Sequence, residues 1–110
     1  MFVFAIETKG KTVAFTKETD RVMLDLVLNG QQLRDDILFV RDINGALWDG
    51  VSPFTARLAS ESEELDYDIT ANEYREKNQE VGEDDILMWN LTNMNNEKVL
   101  IVPPSLRRAA

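Results

Sequence analysis

The chain has 110 residues, a formal net charge of −8 and neither histidine nor cysteine. The missing residue types exclude an imidazole base, a thiol nucleophile, a disulfide and any metal centre ligated by histidine or cysteine. We therefore expect one non-catalytic domain over residues 1–110, with no cofactor and no metal, and a frayed tail at 103–110.

The first predicted element is a β-hairpin at the N-terminal end. Apolar and polar residues alternate on both sides of Lys9-Gly10, which fits a two-residue turn. Direct pairing across this turn places Phe4 opposite Phe15 and Ile6 opposite Val13. All four side chains would then share one apolar face of a sheet.

The next segment, residues 17–30, fits two structures. Thr19 can cap a helix, and Asn29-Gly30 can equally be the turn after a strand. We favour the helix because Met, Leu and Asp outnumber the β-branched residues. Its buried stripe would consist of Val22, Met23, Leu26 and Val27.

The middle of the chain predicts a second hairpin. Asn44-Gly45 is a strong turn signal between the apolar runs at 37–40 and 46–48. Residues 53–65 remain open between a helix that starts at Ser52-Pro53 and an extended segment with Phe54, Ala56 and Leu58 facing inward.

The C-terminal half predicts a short helix and two strands. Thr70 and Glu73 have the spacing of a capping box, which favours a helix over about residues 71–79. Residues 86–91 and 99–102 are apolar and read as paired strands. Together the elements predict an α+β fold. It would have an antiparallel sheet of about five or six strands built from hairpins, with two or three short helices on one face.

An acidic band at residues 61–85 is the most unusual feature of the sequence. It holds eleven acidic and two basic residues. The band is either a solubilising face or a docking surface for a basic protein, and it disfavours direct nucleic-acid binding. The candidate docking residues are Glu61, Glu63, Glu64, Asp66, Asp68, Glu73 and Glu76. Arg57 is expected to pair with these acids rather than to bind an anion.

A calcium loop is excluded within this band. Asp66, Asp68 and Thr70 place oxygen atoms at its first, third and fifth positions. However, Ala71 stands where the turn needs glycine, and Lys77 stands where the bidentate glutamate belongs.

Three tryptophan and methionine side chains in predicted strands suggest self-association. Trp48, Met88 and Trp89 would lie on a sheet face left open by helices on one side only, which predicts a homodimer or higher homo-oligomer. The apolar residues 1–6 read as a strand rather than as a signal peptide, and no segment is long enough to span a membrane. We expect a cytoplasmic protein.

The preferred function is therefore non-catalytic binding of a second copy or of a basic partner. One alternative is an inhibitor or antitoxin-like protein that mimics nucleic acid. Another is a small-molecule binder or weak carboxylate hydrolase with a cleft between protomers.

Overall fold

The computed structural model describes residues 2–42, 45–77, 86–90 and 99–101. The strands are β1 (Phe2–Thr8), β2 (Lys11–Glu18), β3 (Arg41–Asp42), β4 (Gly45–Ala46), β5 (Thr55–Leu58), β6 (Ile86–Trp89) and β7 (Val99–Ile101). The helices are α1 (Arg21–Asn29), α2 (Gln31–Ile37) and α3 (Glu61–Lys77). The predicted tail at 103–110 lies outside the described residues.

The main sheet has the order β5-β1-β2-β6-β7, and every neighbouring pair in it is antiparallel. Strands β3 and β4 form a separate two-stranded ribbon. An α+β class with an antiparallel sheet and helices is confirmed. The placement of the helices on one face is wrong, because the sheet separates two apolar clusters. Residues of α1 and α2 lie in one cluster, and residues of α3 lie in the other.

The β1–β2 hairpin has the predicted turn but a different register. Lys9 and Gly10 have φ angles of 53° and 73°, as a two-residue turn of this twist requires. A β-bulge between Ile6 and Glu7 then inserts Val13 as an extra residue on β2.

The bulge determines which side chains share a face. Phe4 is opposite Thr16, and Phe15 is opposite Ala5. Phe15 therefore lies in the cluster below α3, whereas Phe4 and Val13 lie in the cluster below α1 and α2. The predicted common face was wrong because one inserted residue reverses the alternation beyond it.

Helix α1 confirms the favoured structure for the segment after the hairpin. Its N-cap is Asp20 rather than Thr19, and the Asp20 carboxylate accepts a hydrogen bond from the Met23 N–H. The buried residues of α1 are Leu24, Val27 and Leu28. The predicted stripe was therefore right only at Val27.

Helix α2 replaces the first strand of the predicted second hairpin. Leu33 and Ile37, four residues apart, are buried on one side of α2. On the other side, Gln31 and Gln32 donate hydrogen bonds to Asp35 and Asp36 one turn later. The strand predicted at 37–40 is wrong, and only the β3–β4 ribbon forms around 43–44, which lie outside the described residues.

Residues 53–59 adopt the extended alternative. Phe54 and Ala56 pack against the cluster below α1 and α2, as that alternative predicted. Leu58, predicted to face inward, is exposed. Strands β6 and β7 pair as predicted, with Ile86 opposite Ile101.

Helix α3 is longer than the predicted helix and starts ten residues earlier. The capping box consists of Ser60 and Glu63, not Thr70 and Glu73. The Ser60 N–H donates to Glu63 Oε1 at 2.8 Å, and the Glu63 N–H donates to Ser60 Oγ at 3.3 Å. Both Thr70 and Glu73 lie inside the 17-residue helix.

Candidate docking site

Helix α3 is held against the sheet by a narrow inner face. Tyr67 and Ala71, four residues apart, are buried there against Val3, Ala5 and Met88. The Tyr67 hydroxyl donates a hydrogen bond of 3.1 Å to the main-chain oxygen of Ile86. Because this inner face is narrow, most of the α3 surface remains available to solvent.

The start of α3 is fixed by Arg57 of strand β5. The Arg57 guanidinium donates two hydrogen bonds to the Glu63 carboxylate, from Nη1 to Oε1 at 2.8 Å and from Nη2 to Oε2 at 2.9 Å. Its Nε also donates to Glu7 on β1 at 3.0 Å. The prediction that Arg57 pairs with acids is therefore confirmed.

These contacts also determine how Glu63 titrates. Hydrogen bonds from Arg57 lower the pKa of Glu63 to about 2, although partial burial opposes the shift. The same hydrogen bonds raise the pKa of Arg57 above its usual range. Farther along the helix, Lys17 on β2 forms an ion pair of 3.1 Å with Asp68. Glu63 and Asp68 therefore connect α3 to the sheet.

The other five predicted docking residues point away from the sheet. They are exposed, and in the part of the chain that the structure describes they form no ion pair. They are Glu61, Glu64, Asp66, Glu73 and Glu76. The predicted acidic band thus separates into two structural residues and five solvent-facing ones.

Two apolar side chains lie among these acids. Leu65 is 61% exposed and Ile69 is 50% exposed. Glu61 lies one turn before Leu65, and Glu73 lies one turn after Ile69, so the four side chains follow one another at intervals of four residues. We call Glu61, Leu65, Ile69 and Glu73 the outer ridge of α3. It spans about 18 Å of helix.

A concavity borders the N-terminal half of the outer ridge. It has a volume of about 510 Å³ and is lined by Glu61, Ser62, Glu64, Leu65 and Asp68. Three carboxylates and one apolar side chain therefore surround one depression. This composition suits the apolar stem and charged head of a lysine or arginine.

The residues predicted to mediate self-association lie in the core rather than on the surface. Trp48, Met88 and Trp89 are buried inside the chain's own core. The prediction of an open sheet face was wrong, because α1 and α2 cover one side of the sheet and α3 covers the other. These three residues pack the fold and present no exposed apolar face.

Comparison with known proteins finds no matching family, no matching curated protein and no matching solved structure. Within the described residues, no group of three or more acids is arranged to hold a metal ion. None of the described helices is both long and apolar enough to cross a membrane.

Sequence reasoning found the acids of α3 but missed Leu65 and Ile69 as surface residues. The available signal was the capping box at Ser60 and Glu63. A helix that starts there places Leu65 and Ile69 on a face opposite Tyr67 and Ala71.

Proposed function

We propose that the protein is a non-catalytic binding module whose outer ridge docks a basic amphipathic helix of another protein. The observation that carries this proposal is the pair of exposed apolar residues, Leu65 and Ile69, between unpaired acids on one helix. Exposed apolar side chains that are four residues apart are typical of helix-on-helix recognition. The surrounding carboxylates favour lysine and arginine on the partner.

The negative charge of the outer ridge favours a basic helix over three other partners. A second copy docked through the same ridge would bring Glu61 and Glu73 against like charges. A nucleic acid or an anionic lipid surface would be repelled by the same carboxylates. The apolar pair at the centre of the ridge also gives little support to mimicry of a phosphate backbone, since a mimic needs continuous charge.

A partner helix that fits the ridge has two apolar residues one turn apart, with a basic residue one turn beyond each. The apolar residues would pack against Leu65 and Ile69. The basic residues would meet Glu61 and Glu73, and a third could enter the concavity beside Glu64. Such a contact is small, so we expect weak and salt-sensitive binding.

The experiment uses a fluorescent peptide of about five helical turns, built from lysine, alanine and two leucines at this spacing. The control peptide has the same composition with its leucines on opposite faces. Fluorescence anisotropy should give tighter binding of the first peptide. Burial of a half-exposed leucine or isoleucine contributes about 1 to 1.5 kcal/mol, so Leu65→Ser and Ile69→Ser should each weaken binding about tenfold.

A matched variant separates the ridge from general surface effects. Val22 on α1 is exposed to a similar extent, 69%, and Val22→Ser should leave the affinity unchanged. Reversal of both Glu61 and Glu73 to lysine should abolish binding. Glu73→Lys alone should weaken binding with little change in melting temperature, whereas Glu61→Lys also places a positive charge in the first turn of α3 and should cost some stability. Equal binding of both peptides, or equal losses in the ridge and Val22 variants, would refute the proposal.

A further inference from the structure

Strand β5 lies at an edge of the main sheet, and its outer side is open. In the described part of the chain β5 pairs with β1 alone. The Ala59 N–H donates to the main-chain oxygen of Val3 at 2.9 Å, which fixes the phase of the hydrogen bonds between the two strands. Because these bonds alternate along an antiparallel strand, the main-chain groups of Arg57 face β1. Those of Ala56 and Leu58 point away from the sheet.

The outward main-chain groups are available to a partner. Within the described residues, the N–H groups of Ala56 and Leu58 have no hydrogen-bond acceptor. The Leu58 oxygen accepts a hydrogen bond of 3.3 Å from Arg57 Nη1 and keeps a second lone pair. Thr55 and Arg57 are exposed on one side of the strand, and Leu58 is 61% exposed on the other. An edge strand in this state can pair with another strand.

Strand β5 is short, but it lacks the other features that protect sheet edges. Natural edge strands often carry unpaired lysines, a proline or a bulge. Thr55–Leu58 has no lysine and no proline, and its pairing with β1 has no bulge. Its single charged residue is Arg57, whose guanidinium is already paired with Glu7 and Glu63. A second strand along β5 would therefore meet no unpaired charge on it.

An exposed apolar patch continues from this edge onto the face of the sheet. Leu58 is opposite Phe4 in the β1–β5 register, so the two side chains share a face. Phe2, two residues before Phe4, lies on the same face, and the centroids of the two rings are 6.4 Å apart. Phe2 is 55% exposed. The edge thus combines open main-chain groups with apolar side chains, which are the two features that strand addition uses.

The residues around Ala56 complement themselves when two copies of the strand run antiparallel. With Ala56 of both copies on a two-fold axis, each Leu58 lies opposite Phe54, and each Arg57 lies opposite Thr55. One face of the pair then joins apolar side chains, and the other places a neutral hydroxyl beside Arg57. No like charges face each other. This complementarity favours a second copy as the occupant of the edge.

Two neighbouring registers are less favourable. Pairing about Arg57 would place two arginines directly opposite each other. Pairing about Leu58 would place Ala56 opposite Ser60, whose N–H already donates to Glu63 at 2.8 Å. Of the three registers, the one about Ala56 keeps like charges apart and uses main-chain groups that have no other partner.

We propose that β5 pairs with β5 of a second copy, antiparallel and about Ala56, and so joins two main sheets into one. The Ala56 N–H of each copy donates to the Ala56 oxygen of the other, and each Leu58 packs against Phe54. Because each strand contributes few residues, the contact is smaller than a standard interface of roughly 1,200–2,000 Å², and the dimer is weak. The contact includes no residue of the outer ridge, so failure of either proposal leaves the other standing.

The first test uses single cysteines, because the chain has none of its own. Opposite residues in a hydrogen-bonded antiparallel pair have Cα atoms about 5.5 Å apart, which a disulfide can bridge. Ala56→Cys should therefore form a covalent dimer on mild oxidation. Thr55→Cys is the matched control, since it is the neighbouring residue and is more exposed. Its two Cα atoms would lie about 8 Å apart, beyond the reach of a disulfide.

Sedimentation equilibrium of the whole protein gives a second measurement. A dimer should become populated at roughly 0.1–1 mM protein. Leu58→Lys places a charge in the contact and should weaken dimerisation at least about tenfold. Val22→Lys makes the same change at an exposed position on α1 and should have no effect. A strict monomer at millimolar concentration would overturn the proposal. Faster cross-linking of Thr55→Cys than of Ala56→Cys, or equal effects of the two lysines, would overturn it as well.

Discussion

The ion pair between Arg57 and Glu63 should control the stability of α3, the helix that carries the proposed docking site. Glu63→Ala removes two contributions. One is the carboxylate that accepts the Ser60 N–H in the capping box, worth about 1 kcal/mol. The other is a two-point ion pair whose side chains are 41% and 23% exposed, worth at most about 1 kcal/mol because solvent screens it. The free energy of unfolding should therefore fall by about 1 to 2 kcal/mol.

Two further variants separate these contributions. Glu63→Gln keeps an oxygen that can accept the Ser60 N–H and loses only the charge, so it should cost about 0.5 kcal/mol. Glu64→Ala is the matched control, because Glu64 is in the same helical turn but is exposed and outside the capping box. It should change stability by less than about 0.5 kcal/mol. Urea unfolding followed by circular dichroism measures all three.

The pH dependence gives an independent check of the same pair. The pKa of Glu63 is lowered from 4.5 to about 2, so its ionised form stabilises the folded state. That stabilisation is complete above pH 4.5 and is lost as the pH falls towards 2. The stability difference between wild type and Glu63→Gln should be constant near neutral pH and should disappear in acid. Equal stability of the Glu63→Ala and Glu64→Ala variants, or a difference that does not change with pH, would contradict this reasoning.

Three other substitutions test the fold by urea unfolding. Tyr67→Phe removes the buried hydrogen bond to the main-chain oxygen of Ile86 and should cost about 1 to 2 kcal/mol; an unchanged midpoint would contradict this. Thr16→Val removes the donor to Glu18 and should cost about 1 kcal/mol, whereas a gain in stability would argue against that hydrogen bond. Lys9 has a φ of 53°, so Lys9→Asn should stabilise the turn by up to about 1 kcal/mol, and a loss would be inconsistent with the turn geometry.

Local chemistry in the sequence predicted part of the fold. The Lys9-Gly10 turn, α1 and the β6–β7 pair follow from turn residues and apolar patterns that act over a few positions. The bulge at Val13 could not be predicted in this way, because it is set between strands. Its carbonyl accepts a hydrogen bond from the N–H of Asn90, which belongs to the far end of the chain.

The sequence did not predict helix α2 or the second helical layer, and the reason is related. The run at 37–40 is apolar enough for a strand, but Leu33 and Ile37 are buried at a helical spacing that begins before the run. The prediction of an open sheet face followed from a wrong count of the layers. Once α3 covers that face, Met88 becomes core, and the exposed apolar surface lies on the helix instead.

The acids of the candidate site could be predicted from the sequence. Which of them contact the sheet and which face solvent could not. The sequence indicated that Arg57 pairs with acids of the band, but it did not reveal that Arg57 on β5 engages Glu63 and that Lys17 on β2 engages Asp68. Because Glu63 and Asp68 contact the sheet, the exposed acids that remain beside Leu65 and Ile69 on the outer ridge are Glu61 and Glu73.

The most direct test of the outer ridge is a map of methyl chemical shifts in wild-type protein during titration with the basic amphipathic peptide. The methyl signals of Leu65 and Ile69 should shift saturably, and intermolecular contacts to the peptide leucines should appear. The methyl signals of Val22 on α1 should stay in place. Shifts that are equal at Val22 and Leu65, or binding that leaves Leu65 and Ile69 unmoved, would contradict the proposed docking site.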